Sequence, residues 1–288
     1  MALELKPTVA IVMRSLNEQP HATRALEGLA RQTHDAWTLW NVDSGSTDGT
    51  LEAVRRFNPD PARVVEIAPG DYVPGKVLND MVARTTEAVV VLLNADAVPV
   101  DEHWLERLLA PILAGEADAT MSRQIARADA RWVVKYDYDR AYAPSRDPAK
   151  DADFFSAVAA AFRRELWERT PFYTDGYSED RAWAKACRER GARFVLVPDS
   201  VVEHSHDYTL RGLYRKRYRH GKAFVFIDRG RADALRQAYL WAREVVRDLL
   251  HAIRSLRPDT IPYNLAYRTV IHLAYHRGRR EGERAYLR

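Results

Sequence analysis

The first hundred residues alternate short, almost continuously apolar runs with stretches of helical spacing. The runs are rich in β-branched residues and lack the strict apolar–polar alternation of a strand with one solvated face. Strands of this kind lie in sheets that helices cover on both faces, as repeated strand–helix–strand units produce. We therefore expect an α/β fold with a mostly parallel sheet. The four runs are Thr8–Met13, Trp37–Val42, Ala62–Ile67 and Ala88–Leu93.

The rest of the chain divides into a helical end and an irregular middle. From Leu235 to Leu256 apolar residues recur every three or four positions, and a second helical stretch covers Tyr263–His276, so we expect a helical C-terminal extension. Residues 125–153 mix aromatic, charged and proline residues without a period, and we expect an irregular loop over a site there. The remaining predicted elements are helices at His21–Arg31, Thr50–Arg56, Lys76–Thr85, His103–Leu113 and Glu179–Arg190, and a strand at Phe194–Val197.

Composition excludes several classes of protein. The single cysteine, Cys187, permits no internal disulfide and favours a reducing cytoplasm. The longest apolar run is far shorter than the ~18 residues that a membrane span needs. The N-terminus, with Glu4 and Pro7, does not resemble a secretory signal.

Charge is distributed unevenly along the chain. Residues 211–288 hold 19 basic and 7 acidic residues, whereas residues 1–210 hold 25 basic and 33 acidic ones. A net charge of +12 at one end and −8 elsewhere suits contact with nucleic acid, an anionic membrane surface or an acidic partner. A solvated basic face explains the same numbers, and composition does not separate these alternatives.

Polar residues follow the first, second and fourth predicted strands where each ends. They occur in Arg14–Glu18, in Asn41–Thr50 and in Leu92–Pro99. Open α/β sheets bind ligands beyond the carboxyl ends of their strands, and a carboxylate such as Asp43 can accept hydrogen bonds from a base or ribose. Turns and helix caps use the same residue types.

Three further groups of residues suit metal or proton chemistry. Asn94 and Asp96 are two residues apart on extended backbone, which directs both side chains to one side, and oxygen ligands suit Mg²⁺ or Mn²⁺. Glu179 and Asp180 are adjacent acids at a predicted helix start, where two carboxyl groups can divide acid and base roles. The third group is His204 and His206, which follow a strand and could ligate a metal or contact phosphate.

Taken in order, these motifs resemble the family 2 inverting glycosyltransferases of the GT-A fold over about residues 8–225. The fuller set is most similar to the rhamnosyltransferase-like branch, whose members build bacterial surface polysaccharides. The added matches are Gly75–Asn79, Arg123–Gln124, Phe155–Ser156 and Arg163–Trp167.

The resemblance implies a fold, a reaction and a cofactor. It implies a GT-A catalytic domain over 1–225, with a mixed, mostly parallel central sheet, and a basic helical C-terminal extension over 226–288. The expected reaction is a single inverting transfer of a hexosyl or deoxyhexosyl group from a nucleotide-diphosphate sugar to the hydroxyl of a saccharide or lipid-linked acceptor. The expected cofactor is Mn²⁺ or Mg²⁺. dTDP-rhamnose is the first donor implied, with UDP- and GDP-sugars left open.

The resemblance also assigns roles to residues. Asp180 would be the general base with Glu179 as its neighbour. Asp96 would bind the metal, and His204 or His206 would complete the metal site. One residue departs from the family pattern, because the Asp-x-Asp motif begins with Asn94 and so lacks one carboxylate. The nucleotide-sugar-binding residues would be Asn17, Glu18, Asp43, Ser46, Lys76, Asn79, Asn94, Ala95, Arg123 and Trp183.

Other functions fit the sequence less well. A dinucleotide-binding oxidoreductase would have a glycine-rich turn after the first strand, where this chain has Arg14–Asn17. A processive synthase would have Gln-x-x-Arg-Trp and membrane spans, but Gln237–Trp241 lacks the arginine. A nucleic-acid- or anionic-surface-binding protein would use the basic end but not the ordered acidic motifs. For that end we expect helices that either pack on the catalytic domain or a second subunit, as in a homodimer, or contact the inner face of the plasma membrane.

Overall fold

The chain forms two compact units, each continuous in space but not in sequence. The first comprises residues 1–127 and 138–204, and the second residues 128–137 and 205–288. The predicted boundary between residues 225 and 226 separates a catalytic domain from a basic helical extension, and this division stays a prediction. The computed structural model describes residues 6–145, 154–174, 176–228 and 230–286.

An eight-stranded mixed sheet forms the centre of the first unit. Its strand order is β3-β2-β1-β4-β7-β6-β8-β5, where β1 to β4 run parallel and β7 runs antiparallel to both of its neighbours. The strands are β1 (Val9–Ser15), β2 (Trp37–Asp43), β3 (Val64–Glu66), β4 (Val89–Asn94), β5 (Val98–Pro99), β6 (Ala119–Ile125), β7 (Ala159–Arg163) and β8 (Phe194–Glu203).

Two apolar cores, one on each face of the sheet, explain the uninterrupted apolar runs. In β4, Val91 and Leu93 pack into one core while Val90 and Leu92 pack into the other, because successive side chains point to opposite faces. The predicted α/β class with a mixed, mostly parallel sheet is therefore confirmed. The helices of the first unit are α1 (His21–Ala30), α2 (Thr50–Phe57), α3 (Pro74–Ala83), α4 (Trp104–Leu113), α6 (Arg164–Arg169) and α7 (Glu179–Arg188).

Strand register brings three predicted ligand-binding segments to one edge of the sheet. Ser15 of β1 is opposite Asp43 of β2, and Arg14 is opposite Asn94 of β4. The backbone N–H of Asn94 also donates to Val158 O, just before β7, at 2.8 Å. The ends of β1, β2 and β4 and the start of β7 therefore lie side by side.

The segment over residues 125–153 differs from the predicted irregular loop. Helix α5 (Trp132–Ala141) forms within it, and residues 146–153 lie outside the described residues. Trp132 and Tyr136 pack on His251, with Tyr136 and His251 ring centroids 3.8 Å apart. The buried residues of α5, Val133 and Val134, are adjacent rather than three or four positions apart, so its sequence shows no helical period.

The sequence did not predict two of the central strands, β6 and β7. β7 is made of three alanines, Phe162 and Arg163, and alanine has a low strand propensity. It forms because it pairs with β4, for example Ala161 opposite Val91, and with β6 on its other side. Long-range pairing, which a local pattern does not contain, therefore decides its conformation.

The second unit is a helical assembly in which two helices touch backbone to backbone. A Cβ added to Gly278 would lie 2.1 Å from Tyr218 O, and one added to Gly221 would lie 2.2 Å from Tyr275 O. Only glycine permits this closeness, so these two positions set the crossing of α8 and α10. The helices are α8 (Leu210–Asp228), α9 (Ala234–Arg254) and α10 (Ile261–Tyr286).

A buried ionic network joins α9 and α10. The Arg268 guanidinium donates to Asp248 at 2.6 Å and to both carboxylate oxygens of Asp137 at 2.6 and 2.8 Å. His272 Nε2 lies 3.1 Å from Glu244 Oε2. Burial opposes ionisation of Glu244, but the hydrogen bond from His272 and the charge of Arg268 outweigh it and lower the pKa of Glu244 to about 2. The side of α9 that faces α10, called its inner side below, is therefore held by polar contacts.

In the part of the chain that the structure describes, no helix combines the length and apolarity needed to cross a membrane.

Candidate active site

A dense hydrogen-bond network shapes the loop after β2. The buried Asp43 carboxylate accepts from the N–H groups of Gly45 and Ser46 at 3.0 and 2.7 Å, and from the hydroxyls of Ser46 and Ser15 at 2.7 Å each. These four bonds use the acceptor sites of a carboxylate. Asp43 therefore holds the loop in place, and its predicted contact with a nucleobase stays a prediction.

The loop after β1 is tied to the loop after β2. Asn17, which adopts a positive φ of 55°, donates its N–H to Ser46 Oγ at 2.9 Å, and its side-chain oxygen accepts from Thr47 N at 2.8 Å. The N–H of Glu18 donates to Thr50 Oγ1 at 2.9 Å. The predicted residues Asn17, Glu18, Ser46 and Asp43 are thus brought together at one edge.

Arg14 joins the end of β4 to the start of α7. Its Nη1 donates to Glu179 Oε1 at 3.1 Å, and its Nε and Nη2 donate to Asn94 Oδ1 at 3.3 and 3.1 Å. Both charged side chains of the ion pair are almost buried. The single arginine therefore brings the motif at residues 94–96 next to the acidic pair at 179 and 180.

Glu179, which is buried, and Asp180, which is half-buried, are adjacent carboxyl groups with raised pKa values. Burial, followed by the charge of Asp180, raises the pKa of Glu179 to about 7, and Arg14 acts against this. Burial likewise raises the pKa of Asp180, although N–H groups of Arg181 and Ala157 donate to it at 2.8 and 3.4 Å. A carboxylate whose pKa is raised toward neutrality is a stronger base when ionised.

Asp96 and His204 form a pair that suits a metal ion. Asp96 Oδ2 is 3.4 Å from His204 Nε2, and both residues are buried. His204 Nδ1 is 2.9 Å from Gln124 Oε1, an acceptor, which assigns the ring proton to Nδ1 and leaves the Nε2 lone pair facing Asp96. A carboxylate oxygen and an imidazole nitrogen this close can ligate one divalent cation at about 2.1 Å each.

Two more ionisable groups, Arg127 and Glu18, lie at this pair. Arg127 Nη2 donates to Asp96 O at 2.7 Å and to Asp96 Oδ2 at 3.2 Å. Burial raises the pKa of Glu18 to about 8, and the Asp96 carboxylate adds to this, whereas Arg127 opposes it. The site therefore holds acidic groups that a cation would stabilise and an arginine that suits a phosphate oxygen.

Three other residues, Lys76, Ala95 and Arg123, are also predicted to bind the nucleotide sugar. Lys76 is exposed near the start of α3, next to Gly75, where a Cβ would lie 3.3 Å from that of Glu179. Ala95 is buried, and its N–H donates to Arg14 O at 2.9 Å. Arg123 is half-buried on β6, just after a register shift between β6 and β8. Their predicted contacts stay predictions.

Two more of the predicted site residues, Trp183 and Asn79, contact other groups of the protein. Trp183 is buried among aromatic rings, and its Nε1 donates to Thr170 O at 2.6 Å. Asn79 Oδ1 accepts from Trp167 Nε1 at 2.8 Å and from Phe172 N at 2.9 Å. Their predicted contacts with the nucleotide sugar stay predictions. His206 follows His204 by two residues, at the start of the second unit, and its role as a ligand stays a prediction.

Three residues of the site, Arg14, Arg127 and His21, were not assigned a role from the sequence. Arg14 and Arg127 pair with residues far along the chain, so no local spacing marks them. His21 opens α1, and its Nδ1 is buried without a hydrogen-bond partner in the described residues. Burial, with the charges of Arg127 and Arg24, lowers the pKa of His21. For Arg14 the sequence offers one sign, which is its position directly after the predicted apolar run Thr8–Met13.

The sequence profile of glycosyl transferase family 2 matches residues 10–170, more than half of the chain. The chain belongs to this family. The matched segment runs from β1 to α6 and contains Arg14, Asp43 and Asp96. The predicted family and the predicted enzyme class, a glycosyltransferase, are confirmed.

Two curated relatives of this family 2 glycosyltransferase are O-antigen chain rhamnosyltransferases. RfbN of Salmonella typhimurium is 24% identical over 224 residues, which are 72% of this chain and 69% of the relative. WbaN of Salmonella anatum is 25% identical over 198 residues, which are 65% of this chain and 62% of the relative. The predicted likeness to rhamnosyltransferases is confirmed.

Solved structures of other glycosyltransferases share the fold. Mannosyltransferase PcManGT from Pyrobaculum calidifontis, in complex with GDP-Man and Mn²⁺, gives a TM-score of 0.61 at 23% identity over 99% of this chain and 76% of that one. Glucosyl-3-phosphoglycerate synthase from Mycobacterium tuberculosis, in complex with Mn²⁺, UDP-Glc and phosphoglyceric acid, gives 0.53 at 21% identity, over 75% and 78%. The predicted GT-A fold is confirmed.

Proposed function

We propose that this glycosyltransferase moves a sugar from a nucleotide-diphosphate donor to an acceptor hydroxyl with inversion, using Asp180 as the general base. The observation that carries the proposal is the Arg14 bridge. It holds the acidic pair at the start of α7 against Asn94, two residues before the candidate metal ligand Asp96. Base and donor-binding groups therefore act on one bound sugar.

In the proposed reaction the acceptor oxygen bonds to the anomeric carbon as the bond from that carbon to the diphosphate oxygen breaks. The Asp180 carboxylate takes the proton of the acceptor hydroxyl. Its position is fixed because the N–H groups of Arg181 and Ala157 donate to it. Arg14 favours the ionised form of both neighbouring carboxyl groups. Attack from the side opposite the diphosphate inverts the anomeric centre.

Asp96 and His204 would hold Mn²⁺ or Mg²⁺, which supplies Lewis-acid stabilisation of the departing diphosphate. Gln124 would orient the His204 ring through its contact with Nδ1. Arg127, which donates to Asp96, lies where it can bind a phosphate oxygen of the donor.

The relatives guide the choice of substrates. Because both curated relatives are O-antigen chain rhamnosyltransferases, we propose dTDP-rhamnose as the first donor to test and bacterial surface polysaccharide as the product. The proposed acceptor is a saccharide carried on a lipid at the inner face of the plasma membrane. That location requires a peripheral contact with the membrane.

The test is transfer of labelled rhamnose to a polyprenyl-diphosphate-linked saccharide. We expect Asp180→Asn to lower turnover about 10²–10⁴-fold while nucleotide-sugar affinity persists, since general-base help is of that size. Asp80→Asn, an exposed position on α3, is the matched control and should keep full activity. Turnover within tenfold of wild type in Asp180→Asn would remove the base assignment, and retained anomeric configuration by NMR would remove inversion.

A further inference from the structure

Helix α9 has its polar contacts on the inner side. Asp248, at 2% exposure, binds Arg268, and Glu244 binds His272. Ala252 is fully buried on the same side. A helix on the surface of a globular protein normally directs an apolar stripe inward. The apolar residues of α9 are therefore free to face outward.

An apolar stripe covers the outer side of α9 along its whole length. Leu235 is 84% exposed, Tyr239 65% and Ile253 55%. At about 100° per residue, the stripe residues fall within an arc of about 120°, and 21 residues of helix extend about 30 Å. Contiguous exposed apolar surface of this kind marks an interaction site. Its members are Leu235, Tyr239, Val246, Leu249, Leu250, Ile253 and, just past the helix end, Leu256.

Positive charge accompanies the stripe. Arg236, Arg243 and Arg254 are exposed, and the same helical geometry places all three along one flank of it. The two acidic residues of α9, Glu244 and Asp248, lie on the inner side. The outward side of α9 thus offers apolar and basic groups and no carboxylate.

This charge pattern selects one kind of partner. Two copies of the chain meeting through this side would bring arginine flanks together without acidic residues on α9 to pair with them. An anionic bilayer suits the surface better, because apolar side chains enter the acyl boundary while arginines reach lipid phosphates.

We propose that α9 lies in the plane of an anionic membrane, with the stripe inserted at the headgroup–acyl boundary. This surface would supply the peripheral membrane contact in the proposed function. It is nevertheless tested without any sugar transfer, so its failure and a failure of the catalytic assignment are distinguishable.

The experiment is co-sedimentation of the full chain with phosphatidylcholine vesicles, with and without 30% phosphatidylglycerol. We expect binding to the anionic vesicles that weakens as salt is raised. Arg243→Gln with Arg254→Gln should weaken binding about 25-fold, at about fivefold for each arginine. Leu250→Ser with Ile253→Ser should weaken it at least about tenfold. Leu113→Ser, on the similarly exposed Leu113 of α4, is the control and should leave binding unchanged.

Unfolding midpoints of all variants should match that of the wild type, because every altered side chain is exposed. Three results would overturn the proposal. One is equal binding to both kinds of vesicle, and the second is unchanged anionic binding after loss of Leu250 and Ile253. The third is a dimer in sedimentation velocity that the Leu250→Ser, Ile253→Ser variant dissociates, which would make a second copy the occupant.

Discussion

Replacing Arg14 by glutamine tests the electrostatic link at the centre of the site. Arg14 Nη1 is 3.1 Å from Glu179 Oε1, and both side chains are almost buried. At that distance and an effective dielectric constant of about 20, the attraction between the charges is about 5 kcal/mol. The measurable loss is smaller, because Glu179 can take up a proton once its partner is gone.

The protonation step sets both the size and the pH dependence of the effect. Loss of a neighbouring arginine raises the pKa of a carboxyl group by about 1–3 units, which corresponds to about 1–4 kcal/mol. In the wild type, burial and Asp180 place the pKa of Glu179 at about 7, above its ordinary value, so the folded state binds an extra proton as pH falls. Below pH 7 Glu179 is protonated with or without Arg14, and the charge-dependent destabilisation disappears. Above pH 7 it grows with pH, and it is complete only above the raised pKa of Glu179 in the variant.

Urea unfolding at pH 5.5 and at pH 8.5 measures this difference directly. We expect Arg14→Gln to be more destabilised at pH 8.5, by about 1–2 kcal/mol beyond its loss at pH 5.5, since pH 8.5 lies about 1.5 units above the pKa of Glu179 in the wild type. The acid limb of the activity profile should also move to higher pH, because the Glu179–Asp180 pair must be ionised. Arg169→Gln removes an exposed ion pair to Glu165 at 2.8 Å and should cost at most about 1 kcal/mol at both pH values. Equal destabilisation of Arg14→Gln at the two pH values would refute the reasoning.

Two further outcomes follow from the metal pair and the helix crossing. Asp96→Ala should weaken binding of both Mn²⁺ and the nucleotide sugar in isothermal titration, since Asp96 and His204 face each other at 3.4 Å, and unchanged affinities would remove Asp96 from the metal site. Gly278→Ala should lower stability by about 1–3 kcal/mol, because its Cβ would lie 2.1 Å from Tyr218 O. Gly70→Ala, with open space around it, is the control in thermal unfolding, and an equal midpoint in both variants would contradict the close crossing.

The sequence predicted those strands whose own residues are apolar enough to require burial on both faces of a sheet. The apolar run ending at Leu93 must be buried on both faces whatever its neighbours are, and it is β4. Ala159–Arg163 becomes a strand only through pairing with β4 and β6. Helix α5 buries the adjacent residues Val133 and Val134 and contacts His251 through the half-buried ring of Tyr136, so its burial has no helical period.

The same distinction applies to the site. Residues at strand ends, such as Asp43 and Asp96, were found because parallel strands bring their carboxyl ends to one edge. Their contacts were not, because a run such as Asp43–Gly45 does not reveal that its carboxylate is occupied by its own loop. Arg14 stands 165 positions before Glu179, and Arg127 stands 31 after Asp96, so only the fold makes these pairs.

The Arg14 bridge gives a physical account of the amide at position 94. An amide oxygen accepts two hydrogen bonds from Arg14 without neutralising its charge, so that charge remains available to Glu179. A carboxylate at position 94 would lie about 3 Å from the guanidinium as a second anion, and it would compete with Glu179 for the single cation. Its own charge would also raise the pKa of the acidic pair. Asn94 therefore separates two tasks at this edge, because the cation-binding carboxylate is left to Asp96 while Arg14 keeps the base ionised.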